Sequence, residues 1–445
     1  MRLPSRHISL AGAVVVISVV AAIAVVVWVL LLVRDEESPV DPPPEPTVSP
    51  LATPATPPPP GTVMATPVPN LSVEPAPEPG SLSDLLRYAP DRLADDTLPL
   101  SDIARYADIK RWMDAGGVEI PDGPQDRAWE QWETGLGTLA LPEVLAARAN
   151  DPLWDATYGF QLTDVDQVLA VGQAPDYVLI MRGDFEPEAL HAAWVQSGYQ
   201  AVRAEDVTIW SLFPGDAVDL SAPASRPALG NLNNIVLLDD GTLIATSRLS
   251  RLEDVVRVAQ EDAPSLDDNP AVAALLAPGA GAESMVTAVI VKGSLLATVA
   301  STPTVIATPF GATSTGPLPI STPSPSPIAD LQMPPVELML AGIEAPGSGG
   351  TPPVFSMVLS FDAVEDATRA MISVDRTLQE DRSPVTHRSY RERLEPLQMR
   401  VIGTEQGDAL LLIRTGLLNG SADWLVILEE RDLGFLMWPL ELDDE

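Results

Sequence analysis

One short segment near the C-terminal end combines basic and aromatic side chains that could bind an anion. An arginine guanidinium can donate two parallel hydrogen bonds to one carboxylate or phosphate, which is why such clusters recognise these groups. The basic cluster consists of Arg382, His387, Arg388, Tyr390, Arg391, Arg393 and Arg400. The candidate ligand-binding residues are Arg388, Tyr390, Arg391 and Arg393. The alternative interpretation is a solvated helix face that pairs with an acidic surface.

Residue types that support catalysis are sparse in this chain. The chain contains no cysteine, which excludes disulfides, thiolate metal sites and cysteine nucleophiles. His191 and His387 are the only histidines after position 7, so a histidine-rich zinc motif is absent. Neither a Gly-x-Ser-x-Gly elbow nor a phosphate-binding Gly-x4-Gly-Lys-Ser/Thr loop occurs. We therefore predict no catalytic residue, no cofactor, no metal site and no enzymatic activity.

Acidic side chains leave one catalytic alternative open. Acidic pairs such as Asp239-Asp240 and Asp267-Asp268 fall at predicted turns or strand ends, where solvation is the ordinary role. Asp267, Asp268 and Asn269 could hold calcium weakly, but the twelve-residue spacing of an EF-hand is missing. A carboxylate-dependent hydrolase of the cell envelope would require two acids that converge in a cleft.

Two further motifs have a structural and a functional interpretation. Trp112, Trp129, Trp132 and Trp154 could stack on sugar rings, as in a cell-wall glycan-binding protein. Core packing is the favoured interpretation, because large aromatics supply much of any core. Arg182-Gly183-Asp184 would be an adhesion signal on an exposed loop tip. Here it follows a strand and precedes a helix, so we expect Gly183 to permit a turn and Asp184 to cap the helix.

The N-terminal segment predicts how the chain meets a membrane. Residues Ile8 to Val33 carry no charge and would span roughly 39 Å as a helix, which exceeds a hydrocarbon core of ~30 Å. Arg2 and Arg6 precede this run, so the positive-inside rule places residues 1–7 in the cytoplasm. We predict a single-pass anchor at the cell membrane, with the rest of the chain extracytoplasmic. A cleaved signal peptide is the alternative.

Composition sets limits on the partners. The 445-residue chain has a formal net charge of −36. Such a field repels nucleic acid and anionic lipid, so we expect no nucleic-acid partner. The predicted partners are the membrane, through the N-terminal helix, and an envelope protein or a cell-wall glycan.

Two proline-rich tracts are predicted to be disordered. Residues 34–80 alternate proline with Thr, Ala, Val and Glu, which favours an extended polyproline stalk. Residues 296–333 have the same character but lie between the predicted strands Met285–Val291 and Val336–Leu340. We interpret this second tract as an excursion between two paired strands, since a long structureless stretch inside a domain is uncommon. An interdomain linker is the alternative.

Between these tracts the sequence pattern predicts an α+β protein. The predicted helices are Ser83–Tyr88, Ser101–Tyr106, Pro142–Ala149, Leu162–Val168, Glu186–Ser197, Leu252–Gln260, one ending near Ala277, and Val364–Leu378. The other predicted strands are Tyr177–Met181, Val207–Phe213, Ile235–Leu238, Leu243–Thr246, Val354–Phe361, Met399–Gly403, Ala409–Thr415, Trp424–Leu428 and Phe435–Trp438. A strand, a helix and antiparallel strands occur twice. We therefore expect two ferredoxin-like antiparallel-sheet units packed together, at 81–284 and 285–445.

Six short segments of the sequence resemble segments of one group of proteins. They are Leu85–Pro90, Asp102–Ala104, Met181–Phe185, Ser197–Tyr199, Asn234–Gly241 and Ser265–Pro270, all within about residues 85–280. In these segments the chain resembles uncharacterised membrane-anchored extracytoplasmic proteins of high-GC bacteria, actinobacterial and Chloroflexi-like. The resemblance implies an anchored extracytoplasmic protein and supplies no activity. Together with the anchor and the stalk, it leads us to expect a binding or interaction module.

Overall fold

The computed structural model describes the folded part of the chain with several gaps. The described residues are 81–91, 104–121, 123, 126–148, 151–172, 177–204, 206–293, 333–345, 353–380, 383, 388–404, 408–418, 421 and 423–429. The predicted tail, anchor and stalk, the excursion apart from Met333, and the predicted strand 435–438 lie outside these residues. Among the helices that the structure describes, none is long and apolar enough to cross a membrane.

A single antiparallel sheet of twelve strands forms the centre of the described fold. The strands are β1 Ala104–Asp108, β2 Val165–Val171, β3 Val178–Gly183, β4 Gln200–Ala204, β5 Val207–Ser211, β6 Asn234–Leu237, β7 Leu243–Thr246, β8 Met285–Lys292, β9 Leu338–Glu344, β10 Val354–Phe361, β11 Leu394–Gly403 and β12 Ala409–Leu417. Their order in the sheet is β11-β12-β10-β9-β8-β1-β2-β3-β7-β6-β5-β4.

Helices cover both faces of this sheet. They are α1 Leu82–Leu86, α2 Ile109–Gly116, α3 Trp129–Leu136, α4 Glu143–Arg148, α5 Pro152–Tyr158, α6 Pro187–Ser197, α7 Leu249–Ala259, α8 Pro270–Leu276, α9 Val364–Glu380 and α10 Asp423–Glu429. Side chains of α1, α7 and α8 pack on one face in a core that runs along the sheet from β5 to β12. The opposite face has two cores, one with α2, α3, α5 and α6 and one with α9 and α10. Trp112 packs against both of them.

The two halves of the sheet repeat one pattern of connections. In each half three sequential strands form a meander, a helix follows, and the last returning strand pairs with the third strand of the meander, as β7 does with β3 and β12 with β10. The first strands of the two halves, β1 and β8, pair antiparallel and join the halves. The predicted α+β class is thus confirmed. The expected β-α-β-β-α-β connectivity of a ferredoxin-like unit differs from the observed one, and both sets of strands lie in one sheet.

Three predicted elements have the wrong type. Ala104–Asp108 and Val165–Val171 are strands at the centre of the sheet, where we expected the helices Ser101–Tyr106 and Leu162–Val168. Conversely, Trp424–Leu428 was expected to be a strand and belongs to α10. All three segments are short, so periodicity does not decide between helix and strand, and tertiary contacts with distant segments do. Most of the other predicted elements occur with shifts of a few residues at their ends.

The strands that flank the predicted excursion, β8 and β9, pair with each other. β8 pairs antiparallel with β9, from Lys292 opposite Leu338 to Met285 opposite Glu344. Just beyond these strands the backbone N–H of Gly293 donates to the carbonyl oxygen of Glu337 at 2.8 Å. The ends of the excursion are therefore close together, as we predicted for paired strands.

Candidate functional site

An open polar cleft of about 510 Å³ lies at one end of the sheet. Here β1 and β3 end while β2 and β7 begin, so turn residues and the first turn of α2 surround the cleft. Its lining residues are Asp108, Lys110, Arg111, Asp114, Asp166, Gln167, Arg182, Gly183, Asp240 and Gly241. Side chains of both charge signs line the opening, and none of these lining residues is aromatic.

Asp108 lies at the base of the cleft and is saturated by protein donors. Its Oδ1 accepts the backbone N–H of Arg111 at 2.9 Å, which caps the N-terminus of α2. Its Oδ2 accepts a hydrogen bond from Nε2 of Gln167 at 2.9 Å and another from the hydroxyl of Tyr106 at 3.4 Å. Burial raises the pKa of Asp108 above its ordinary value, although these hydrogen bonds act in the opposite direction. Burial, and to a lesser extent the neighbouring Asp108, raises the pKa of Tyr106.

Two of the lining residues, Arg182 and Asp240, belong to a charged network that extends beyond the cleft. Arg182 contacts Asp84 of α1 directly, and this aspartate side chain is only 7% exposed. The hydroxyl of Tyr88 donates to Asp240 and accepts a hydrogen bond from Arg87 at 2.5 Å. Burial acts to raise the pKa of Asp240, but hydrogen bonds from Tyr88 and from Thr242 outweigh it, so the pKa of Asp240 is lowered.

The rim of the cleft offers charges that solvent can reach. Nζ of Lys110 lies 3.6 Å from Oδ2 of Asp166, and the two side chains are 57% and 35% exposed. The guanidinium of Arg111 donates to the carbonyl oxygen of Glu283 at 3.1 Å. Exposed pairs of this kind contribute little to stability, so their charges remain available to a ligand.

Asp108 and Asp240 are not as close together as the two acids of a hydrolase would need to be. β1 and β7 are three strand spacings apart in the sheet order, roughly 14 Å at about 4.8 Å per spacing. Gln167 and Arg182, on the two intervening strands, separate Asp108 from Asp240. A retaining glycosidase holds its carboxyl groups about 5–5.5 Å apart. What the arrangement offers is a set of fixed donors and acceptors for a polar ligand.

The predicted ligand-binding residues do not share one surface. Arg388 and Arg391 are exposed, whereas Tyr390 is 2% exposed and Arg393 is 3% exposed. The ring of Tyr390 belongs to the core beneath α9, because the Tyr390–Glu392 turn folds inward before β11. Tyr390 and Arg393 are thus not available on an exposed surface, as an anion site built from all four would need. For Arg388 and Arg391, ligand binding stays a prediction.

The tryptophans are mainly core residues. Trp132 and Trp154 are fully buried, and Trp112 and Trp129 are partly buried against the same core. The indole N–H of Trp112 donates to the carbonyl oxygen of Gly135 at 3.1 Å. The core-packing interpretation is therefore confirmed for Trp132 and Trp154.

The Arg182-Gly183-Asp184 motif is structural, but not in the way we expected. A Cβ at Gly183 would overlap the backbone oxygen of Asp164, so glycine is required for the close approach of β2 and β3. Asp184 is exposed and does not cap α6, whose N-cap residue Glu186 makes no side-chain cap bond. Arg182 binds Asp84 in the network described above.

The Asp267-Asp268-Asn269 motif forms caps and tertiary contacts. Asp268 accepts the backbone N–H of Ser265 at 2.8 Å, and Asn269 accepts that of Ala271 at 3.0 Å at the start of α8. Asp267 accepts the hydroxyl of Ser83 at 2.7 Å. Within the described residues, no group of three or more acidic or histidine side chains is placed to hold a metal ion.

Sequence reasoning did not identify the cleft. One local signal was present, namely an aspartate followed three residues later by the arginine whose N–H it caps. The partners of Asp108 and Arg182 come from distant segments, so no spacing in the sequence reveals them. Comparison of the chain with known protein families, with curated proteins and with solved structures found no match.

Proposed function

We propose that this chain is a non-catalytic binding module on the outer side of the cell membrane. Residues 8–33 anchor it, residues 34–80 lift it from the bilayer, and the cleft binds a polar segment of an envelope component that carries both charge signs. The resemblance to anchored extracytoplasmic proteins of high-GC bacteria supports the location.

The observation that carries this proposal is that both charge signs occur in the lining of one cleft. Lys110, Arg111 and Arg182 occur together with four aspartates in one opening of a chain whose net charge is −36. Such a lining complements a ligand with both carboxylate and ammonium groups, because each charge of the ligand finds an opposite charge at a fixed position.

The two alternative functions have less support from the described residues. A glycan site would use an exposed aromatic platform, and the cleft lining contains no aromatic ring. A hydrolase would need two converging acids, and Asp108 is saturated by the backbone of Arg111 and by Gln167. These contacts give Asp108 a structural role at the N-terminus of α2.

Photo-crosslinking in the membrane of the producing cell tests the proposal. A photoreactive residue at the exposed rim position Asp114 should form an adduct, while one at the exposed position Glu253 of α7 should not. Lys110→Gln should reduce the Asp114 adduct at least fivefold, because the ligand loses a charged partner.

The chain offers a matched control for that substitution. Lys292 is the only other lysine in the sequence. It is the last residue of β8, whereas the first residues of β8 lie nearer the cleft, so Lys292→Gln makes the same chemical change away from the cleft. It should leave the adduct unchanged. An adduct equally strong at Glu253, or unaffected by Lys110→Gln, would contradict the proposal.

A further inference from the structure

The two edge strands of the sheet differ in how well they resist pairing with another strand. β11 contains Pro396 and has an irregular register between Pro396 and Gln398, and both features hinder further pairing. β4 has no proline and pairs in regular register with β5. Its residues are exposed or half-exposed, and within the described part of the chain it has one strand neighbour. β4 is therefore the edge at which a further strand could add.

An apolar patch adjoins the N-terminal end of β4. Its members, Val218, Leu220 and Leu229, are 46%, 55% and 50% exposed. Val218 and Leu220 both lie 3.1 Å from the position that a Cβ would occupy at Gly230, and Leu229 directly precedes this glycine in the sequence. The patch lies in the connection between β5 and β6. This connection passes close to the start of β4, because the hydroxyl of Tyr199, the residue before β4, donates to the carbonyl oxygen of Leu232 at 2.5 Å.

Leu229 is held in a conformation that its side chain disfavours. Its φ is 50°, in the left-handed region that L residues with a Cβ rarely adopt. The surrounding connection is fixed by Tyr158, whose hydroxyl donates to the carbonyl oxygen of Ala224 and accepts the N–H of Ala228. A strained backbone that keeps an aliphatic side chain half in water is typical of a functional position.

The charge of the chain indicates what kind of segment would bind there. A second copy would bring another net charge of −36 to the same edge and be repelled. In the β4–β5 turn Asp206 is 96% exposed and lies 3.7 Å from Arg203 of β4. Asp219 in the connection is exposed, and hydrogen bonds from Ser221 lower its pKa. Asp219 and the net charge of the chain favour a cationic partner.

We propose that β4 and the apolar patch form a docking surface for an extended, cationic segment of a partner protein. The segment pairs with β4 as an added strand, and its aliphatic side chains contact Leu229 and its neighbours. Alternation along the β4–β5 hairpin directs the backbone groups of Ala201 and Arg203 outward, toward the added strand. This surface is separate from the cleft, which lies several strands away in the sheet.

Binding of a synthetic peptide to the full chain tests the proposal. The probe is a capped ten-residue peptide of alternating valine and lysine, labelled and kept monomeric, with fluorescence anisotropy at low salt as the readout. Ala201→Pro should weaken binding at least tenfold, because it removes an outward donor. Leu229→Gly should weaken binding at least fivefold while the thermal midpoint rises or is unchanged, because glycine tolerates the positive φ.

Three controls make the result specific. Leu418→Gly removes another leucine, 53% exposed, outside the patch and should leave the dissociation constant within twofold. A valine–glutamate peptide should bind at least tenfold more weakly. Lys110→Gln should not affect the peptide, which separates this proposal from the function of the cleft. The proposal is overturned if Leu229→Gly binds like the parent, if the acidic peptide binds equally, or if Ala201→Pro instead abolishes a dimer of the chain.

Discussion

Asp108 and Asp240 line the same cleft, but the pKa values of their carboxyl groups are shifted in opposite directions. Burial raises the pKa of Asp108, whose charge is enclosed by the sheet and α2. Hydrogen bonds from Tyr88 and Thr242, against the effect of burial, lower the pKa of Asp240. The carboxylate therefore costs stability at one position and adds it at the other.

Asparagine substitutions at these two positions should change the pH dependence of stability with opposite signs. A raised folded-state pKa means that the folded chain binds the proton of Asp108 more tightly than the unfolded chain. The stabilisation that this tighter proton binding provides is present below the pKa of the unfolded chain, and it is lost as pH rises through the pKa of the folded chain. From a pH of about 4 upward, Asp108→Asn should thus gain stability relative to the parent. For Asp240 the contribution is present above the unfolded pKa, so Asp240→Asn should lose relative stability as pH rises.

Urea unfolding at several pH values measures both effects. The quantity to compare is the difference in unfolding free energy between each variant and the parent, so that general effects of pH cancel. Differences that stay constant with pH for both variants would show that these environments do not perturb the two carboxyl groups.

At the scale of elements, α1 illustrates how a five-residue helix is held to a sheet. It is too short to be stable alone, so its position depends on tertiary contacts. Leu85 and Leu86 are fully buried in the core beneath it. Arg182 of β3 reaches Asp84 of the same helix, and Arg87 flanks this contact from the surface side.

Replacing Arg182 and replacing Arg87 should lower the unfolding free energy by very different amounts. Arg182 is 21% exposed and faces a carboxylate that is 7% exposed, so Arg182→Ala removes the more buried of the two arginines that pair with Asp84. We expect a loss of about 3 kcal/mol in unfolding free energy. Arg87 is 50% exposed and lies 3.3 Å from Asp84, so Arg87→Ala should cost less than about 1 kcal/mol. Equal losses in urea unfolding would mean that burial does not control this network.

For the whole molecule, the continuous sheet predicts one cooperative unit. β1 and β8 join the two halves through backbone pairing, and one core on the α7 and α8 face spans both halves. Separate melting of the halves would require breaking this ladder and dividing that core. We therefore expect a single thermal transition for the described part of the chain.

Deleting residues 300–327 from the excursion should leave this transition nearly unchanged. Gly293 and Glu337 are already joined by a hydrogen bond, so the shortened connection closes without moving β8 or β9. Loop-closure entropy depends only on the logarithm of loop length, and the thermal midpoint should stay within a few degrees.

An equally long deletion provides the control. Removal of residues 109–136 takes away α2 and α3 with the buried Met113 and Trp132, and it should unfold the chain. Two separate transitions after the excursion is shortened, or collapse of the fold, would identify residues 296–333 as a link between independent domains.

The sequence by itself determined the features that depend on neighbouring residues. Asn269-Pro270 caps and opens α8, and Asp240-Gly241 turns the β6–β7 hairpin, because caps and turns are formed by local backbone chemistry. The α+β class followed from hydrophobic periodicity in the same way. These predictions needed no knowledge of distant segments.

Only the tertiary structure decided which segments pair and which side chains meet. Ala104–Asp108 has a helix-like pattern, yet β2 and β8 on either side make it a central strand. Tyr390 and Arg393 belong to a basic run in the sequence, but the fold buries them. The cleft joins Asp108, Arg182 and Asp240 from three separate segments, and Arg182 contacts Asp84 of a fourth. Strand pairing and burial are contacts between residues far apart along the chain, and a pattern of neighbours carries no record of them.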